Sequence, residues 1–271
     1  MNLIIGSHVS YNNKSQLLGS VKEALSYKAN TFMFYTGAPQ NTNRSVIEDS
    51  LTMEAYKLMK ENNIDLEKVI VHAPYIVNLA NFNNFDFSVS FLINEVERCS
   101  TLGIKYLVLH PGSAVNCSRE EAINNISKGL NLILDNDYDV TILLETMAGK
   151  GNEMGKTFEE LKAIIDKIKH QDKIGVCIDT CHLNDAGYDM SKFDEVLDNF
   201  DNFRCLMTPS LIMWLIDSLR EAERDAARYQ YLKSDHKTKN LYSYQQDMKD
   251  RYWDEDIDSE IDTARKEQGD E

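Results

Sequence analysis

One pattern constrains this chain more than any other. Six times before about residue 202, an apolar, β-branched or aromatic run of four to six residues ends in a polar residue, and a stretch of helical period follows. The runs cover 3–6, 31–36, 69–72, 106–110, 140–145 and 174–179. Their nearly continuous apolarity means burial on both faces, as in a parallel sheet covered by helices. The intervals of about 30 to 40 residues have the length of one βα unit. An α/β fold of the TIM (β/α)8 barrel type is expected, incomplete at six recognisable units, because barrels routinely pass 200 residues as a single domain.

The helices between the runs carry their own signals. Ser118 and Glu121 have the spacing of a capping box, after which Ile123, Ile126, Leu130 and Ile133 fall on one face. Thr157 and Glu160 repeat the spacing ahead of Leu161, Ile164, Ile165 and Ile168. Val89, Leu92, Ile93 and Val96 make another stripe, as do Phe193, Val196, Leu197 and Phe200. Beyond residue 202 the pattern changes to one apolar knot, an Ala/Arg/Glu-rich helical stretch and an acidic end. Two regions are therefore expected: a metal-binding barrel domain over 1–202, and a divergent tail over 203–271, helical in part and disordered in part.

Bulk properties exclude several classes. No run of about 18 apolar residues and no secretory leader is visible, so a cytoplasmic protein with no membrane partner is expected. Five cysteines without framework spacing indicate reduced thiols, and Cys177 and Cys181 are read as packing residues. A formal charge of −15 gives no general attraction to nucleic acid, so any DNA binding has to be local.

Position singles out the chemistry. His72, His110, Glu145 and Asp179 each stand at the carboxyl end of a separate apolar run, and in a parallel sheet all those ends open on one face. Pro or Gly follows closely in "HAPY", "HPGS" and "ETMAGKG", which allows sharp turns and close approach of a ligand. Imidazoles mixed with carboxylates suit zinc or manganese rather than calcium. A carboxylate such as Glu145 can bridge two cations.

The segments "VHAPYIVNLA", "LVLHPGS", "LLETMAGKGNEMG" and "GVCIDTCHLNDAGYD" occur in an order and spacing that resembles the endonuclease IV family of apurinic/apyrimidinic endonucleases, over about residues 2–202. The resemblance implies a TIM barrel with up to three zinc ions, acting in base excision repair on the phosphodiester 5′ to an abasic site in double-stranded DNA. It implies a monomer. It also implies that His72 and His110 hold a first zinc, that Glu145 bridges first and second and is the catalytic carboxylate, that Asp179 holds the second and His182 the third. Tyr75 and Gln40, the latter in "YTGAPQNTNR", correspond to DNA-facing positions.

The family's remaining ligands come from two further strands, and 203–271 lacks their motifs. Trp214 stands at the nearest His position, and Asp235 and His236 adjoin without an intervening residue. Either a truncated or recombined reading frame or an altered barrel with a rearranged site is expected, the former favoured, and a truncated or inactive family member with partial metal or DNA binding is one alternative. A sugar isomerase or epimerase-like barrel is the other.

Overall fold

The computed structural model describes residues 4–192, 195 and 196. The tail, the expected boundary at 202, Trp214, Asp235 and His236 lie outside the described residues, as does most of the expected 193–200 stripe. Six strands form one parallel sheet in the order β1-β2-β3-β4-β5-β6. They are β1 (Gly6–His8), β2 (Thr31–Phe34), β3 (Ile70–His72), β4 (Tyr106–Leu109), β5 (Thr141–Glu145) and β6 (Ile174–Cys177). Strand order that follows the chain without reversal is the order of a barrel, not of a doubly wound sheet. Among the described residues the sheet is open, with β1 and β6 each paired on one side only.

The crossovers are α1 (Gln16–Ser26), α2 (Asp49–Glu61), α3 (Phe85–Thr101), α4 (Arg119–Leu134) and α5 (Phe158–Ile165), and a short α6 (Thr180–Ala186) follows β6. Phe32, Phe34, Val71, Leu107, Leu109, Ile142 and Leu144 are essentially inaccessible, as strands covered on both faces require. In α3, Val89, Leu92 and Val96 face the core, and in α4 so do Ile126, Leu130 and Ile133.

Two local expectations need correction. The first strand lies at Gly6–His8 rather than 3–6, because its ladder pairs Gly6 with Thr31 and His8 with Met33, while Ile5 is 58% exposed. A single exposed apolar residue outside the ladder is ordinary. The second concerns Thr157, which caps α5 by accepting from the Glu160 N–H, while the Glu160 carboxylate instead accepts from Gly155 and Lys156 and pairs with Arg119. The box is therefore half formed there.

At Ser118 both halves are present: its hydroxyl accepts from the Glu121 N–H at 3.2 Å, and the Glu121 carboxylate accepts from the Ser118 N–H at 2.8 Å. Ser118→Ala is expected to cost about 1 kcal/mol. Thermal melting should show a fall of roughly 2–4 °C; an unchanged midpoint would contradict the cap's contribution.

Candidate metal centre

The carboxyl ends of β3 to β6 deliver the polar residues to one mouth. His72 ends β3 and Glu145 ends β5, whereas His110 lies one residue past β4 and Asp179 two past β6. The turn after His110 is held from the neighbouring loop. Asn78 Oδ1 accepts from the N–H groups of Ala80 and Ser113, and its Nδ2 donates to the Ser113 carbonyl. Gly112 has φ +121°, and a Cβ there would lie 2.4 Å from Asn78 Oδ1, so only glycine fits. Asp179 caps α6 by accepting from the His182 N–H at 2.8 Å, which carries His182 to the same mouth.

Two groups of ligand-type side chains result, His72 with His110 and Glu145, and Glu145 with Asp179 and His182, their donor atoms within 4.8 Å of one another in each group. Glu145 belongs to both. Its Oε2 lies 3.0 Å from His72 Nε2 and 3.0 Å from His110 Nε2, and its Oε1 lies 3.3 Å from His182 Nδ1. His182 thus joins the group of Asp179, and no separate third group occurs among the described residues.

The ring orientations test whether a cation fits. His72 Nδ1 is 2.7 Å from the Ala73 carbonyl and His182 Nδ1 is 2.9 Å from the Thr146 carbonyl. A carbonyl only accepts, so both Nδ1 atoms carry hydrogen and each neutral ring presents its Nε2 lone pair. In the first group the His72 lone pair, His110 Nε2 and a carboxylate oxygen then converge on one place. Either protons or a divalent cation must stand between them, and the donor set of two imidazoles and a carboxylate suits a transition metal. With protons rather than a cation between them, burial pushes the Glu145 carboxyl up, but the hydrogen bonds and charges of protonated His110 and His72 outweigh it and hold the group at about 2. It is an anion at neutral pH.

Of the DNA-facing positions implied by the resemblance, Tyr75 is 53% exposed just beyond β3, and Gln40 is exposed on the loop after β2. Neither belongs to a ligand group. Two further residues stand at the mouth that the run-end pattern does not single out. His8 ends β1, its ring 4.7 Å from that of Tyr35, and the Tyr35 ring lies 5.2 Å from that of His72. Burial, then the charge of Glu145, pushes the Tyr35 phenol up, while burial, then His72, pushes the His8 imidazole down. "GSHVS" follows the same run-then-polar rule, but placing the strand at 3–6 hides His8.

The two thiols near Asp179 differ. Burial, reinforced by Glu145 and Asp179, pushes the Cys177 thiol up to about 12, and burial raises that of Cys99 as well. Cys181, expected to pack, is exposed instead, because it lies on the outer side of the short α6. Iodoacetamide at mildly alkaline pH should label Cys181 in the native protein and spare Cys99 and Cys177. Peptide mass spectrometry showing the reverse order would contradict these environments.

A parallel α/β barrel architecture with imidazoles and carboxylates gathered at the strand carboxyl ends defines the class. The family model described as xylose isomerase-like TIM barrel matches residues 21–230. A probable endonuclease 4 of Acholeplasma laidlawii is 57% identical over 205 residues, covering 74% of this chain and 70% of that protein. One from Bacillus subtilis is 52% identical, covering 73% and 68%. The crystal structure of endonuclease IV from Thermus thermophilus is similar with a TM-score of 0.61 and 29% identity, over 73% of this chain and 71% of that one. This chain belongs to the endonuclease 4 family. A D-tagatose 3-epimerase-like structure, 21% identical with a TM-score of 0.52 over 66% and 67%, shares the fold alone. The epimerase alternative therefore has no support beyond architecture.

Proposed function

We propose that this protein is a zinc-dependent endonuclease of base excision repair that hydrolyses the phosphodiester 5′ to an abasic site in double-stranded DNA. The observation that carries the reading is Glu145, one buried carboxylate shared by two ligand groups from successive strand ends. His72, His110 and Glu145 would hold one cation, and Glu145, Asp179 and His182 another. Zinc fits the two-imidazole first group best, and manganese is the alternative. When bound, such a pair lowers the pKa of water and neutralises charge on a phosphate.

The chain's own residues supply the rest. The Ala73 carbonyl fixes the His72 ring with its Nε2 toward Glu145, and the Thr146 carbonyl holds the His182 ring beside the same carboxylate. The Thr146 hydroxyl, 2.9 Å from the Asp179 N–H, holds the segment that carries Asp179. Tyr75 and the Gln40 loop would engage the duplex, where a lesion without a base is easier to open. A cation pair is a strong local positive charge, which lets a chain of formal charge −15 approach DNA there. No described helix is long and apolar enough to cross a membrane; cytoplasmic action as a monomer is part of the proposal.

The test is incubation of purified full-length protein with a 5′-labelled duplex bearing one abasic site, with zinc or with chelator. Zinc-dependent cleavage on the 5′ side is expected. Zinc binding without cleavage would leave a non-catalytic metal protein and remove the activity.

A further inference from the structure

The loop over 37–46, between β2 and α2, begins two residues past Tyr35, whose ring lies against His72, so it rims the same mouth as the ligand groups. Gln40, Asn41, Thr42 and Asn43 are exposed along its middle, and Val46 is exposed at its far end. Its underside is tied to a buried cluster of charges. Arg44 Nε lies 2.5 Å from Glu95 Oε1, with side-chain exposures of 6% and 0%. Arg44 Nη1 donates back to the loop's own carbonyls, at 2.9 Å to Asn43 and 3.1 Å to Asn41. The guanidinium also lies over the Phe91 ring at 4.9 Å.

Glu95, on α3, is held in turn. The Thr36 hydroxyl donates to its Oε2 at 2.7 Å, and Arg98 donates to Thr36 and to the Ser45 carbonyl at the loop's far end. Gly37 allows the arrangement, since a Cβ there would lie 2.9 Å from Arg44 Cδ. A buried ion pair of this kind is a costly way to add stability, because desolvating both charges offsets most of their attraction. What it does supply is a single conformation for a backbone segment with no regular hydrogen bonding of its own.

We infer that Arg44 and Glu95 are positioning residues for DNA recognition: the pair sets the 37–46 loop in its DNA-reading shape before the duplex arrives. The inference rests on the endonuclease reading above. Arg44 pairs with Glu95 directly, and Arg98 reaches the same place through the Thr36 hydroxyl that also bonds Glu95, so the loop is tied to α3 at both of its ends. A loop ordered in advance loses less conformational freedom on binding, so its loosening weakens affinity rather than the chemical step.

Arg44→Lys keeps the charge but replaces the planar fork, which can no longer serve Glu95 and the loop carbonyls together. Gly37→Ala disturbs the same contact from the loop side without altering any charge. In full-length protein each is expected to weaken binding of an abasic duplex by roughly tenfold. The single-turnover rate at saturating enzyme should stay within about threefold, and metal content should be unchanged. Hydrogen exchange without DNA should accelerate over 37–46 and leave β3 to β6 as before.

If exchange over 37–46 is unaltered in both variants, the positioning role is overturned. It is overturned equally if affinity holds while the saturated rate falls. If wild-type protein neither cleaves nor prefers an abasic over an intact duplex while exchange accelerates as expected, the endonuclease reading fails, and with it the DNA role but not the ordering of the loop.

Discussion

Glu145→Gln is expected to reduce zinc-dependent cleavage by roughly a thousandfold or more, the scale seen when a central electrostatic group is removed from a site excluded from water. The amide matches the carboxylate in size, so packing at the end of β5 is retained. It loses the negative charge, and one of its two terminal atoms becomes a donor. The change falls on the single side chain whose two oxygens face His72 and His110 on one side and His182 on the other. Both ligand groups therefore weaken together, and elemental analysis should find less than one metal per chain. A Glu145→Gln protein that keeps its metal and cleaves within about tenfold of wild type would refute the shared-carboxylate assignment.

Removal of metal is the second large effect. A cation that binds the native chain but not the unfolded one stabilises by about 4 kcal/mol at a thousandfold excess over its dissociation constant. For a domain of this size that corresponds to roughly 10 °C in melting midpoint. Chelated protein should melt lower by about that amount and recover with zinc, and an identical midpoint with and without chelator would contradict a metal held by these groups.

The metal-free form carries a pH signature of its own. The Glu145 carboxyl is held below its unfolded value of 4.5, at about 2. Its contribution is therefore fully present above about 4.5 and is lost as pH falls toward 2. The stability gap between metal-free wild type and Glu145→Gln should narrow across that window. A gap constant with pH would place the carboxylate in a different environment.

Much of the fold and the site is legible in the sequence because strand burial and chain order are local properties. The runs ending at His72, His110, Glu145 and Asp179 announce both the parallel sheet and the face on which those residues emerge, since every strand in such a sheet points the same way. The N-caps at Ser118 and Thr157 are readable because each acts within one turn, whereas the reciprocal half of the box at Glu160 is lost to Arg119 and the 155–156 backbone. His8 is hidden for a physical reason: β1 pairs on one side only among the described residues and does not have to be apolar, and Ile4 and Ile5 mimic the strand that begins at Gly6. The exposure of Cys181 is hidden because helix α6 is too short to show a period.

Sequence alone determined the βα alternation, its order, and the residue types brought to the mouth, because hydrophobic period and run length are written residue by residue. Only tertiary structure decided how Glu145 is shared, which nitrogen each imidazole presents, and that Arg44 meets Glu95 under the 37–46 loop. The pairing of Glu145 with His72 and of Arg44 with Glu95 joins groups 73 and 51 residues apart, whose geometry is set by packing of strands and helices. No local pattern encodes them.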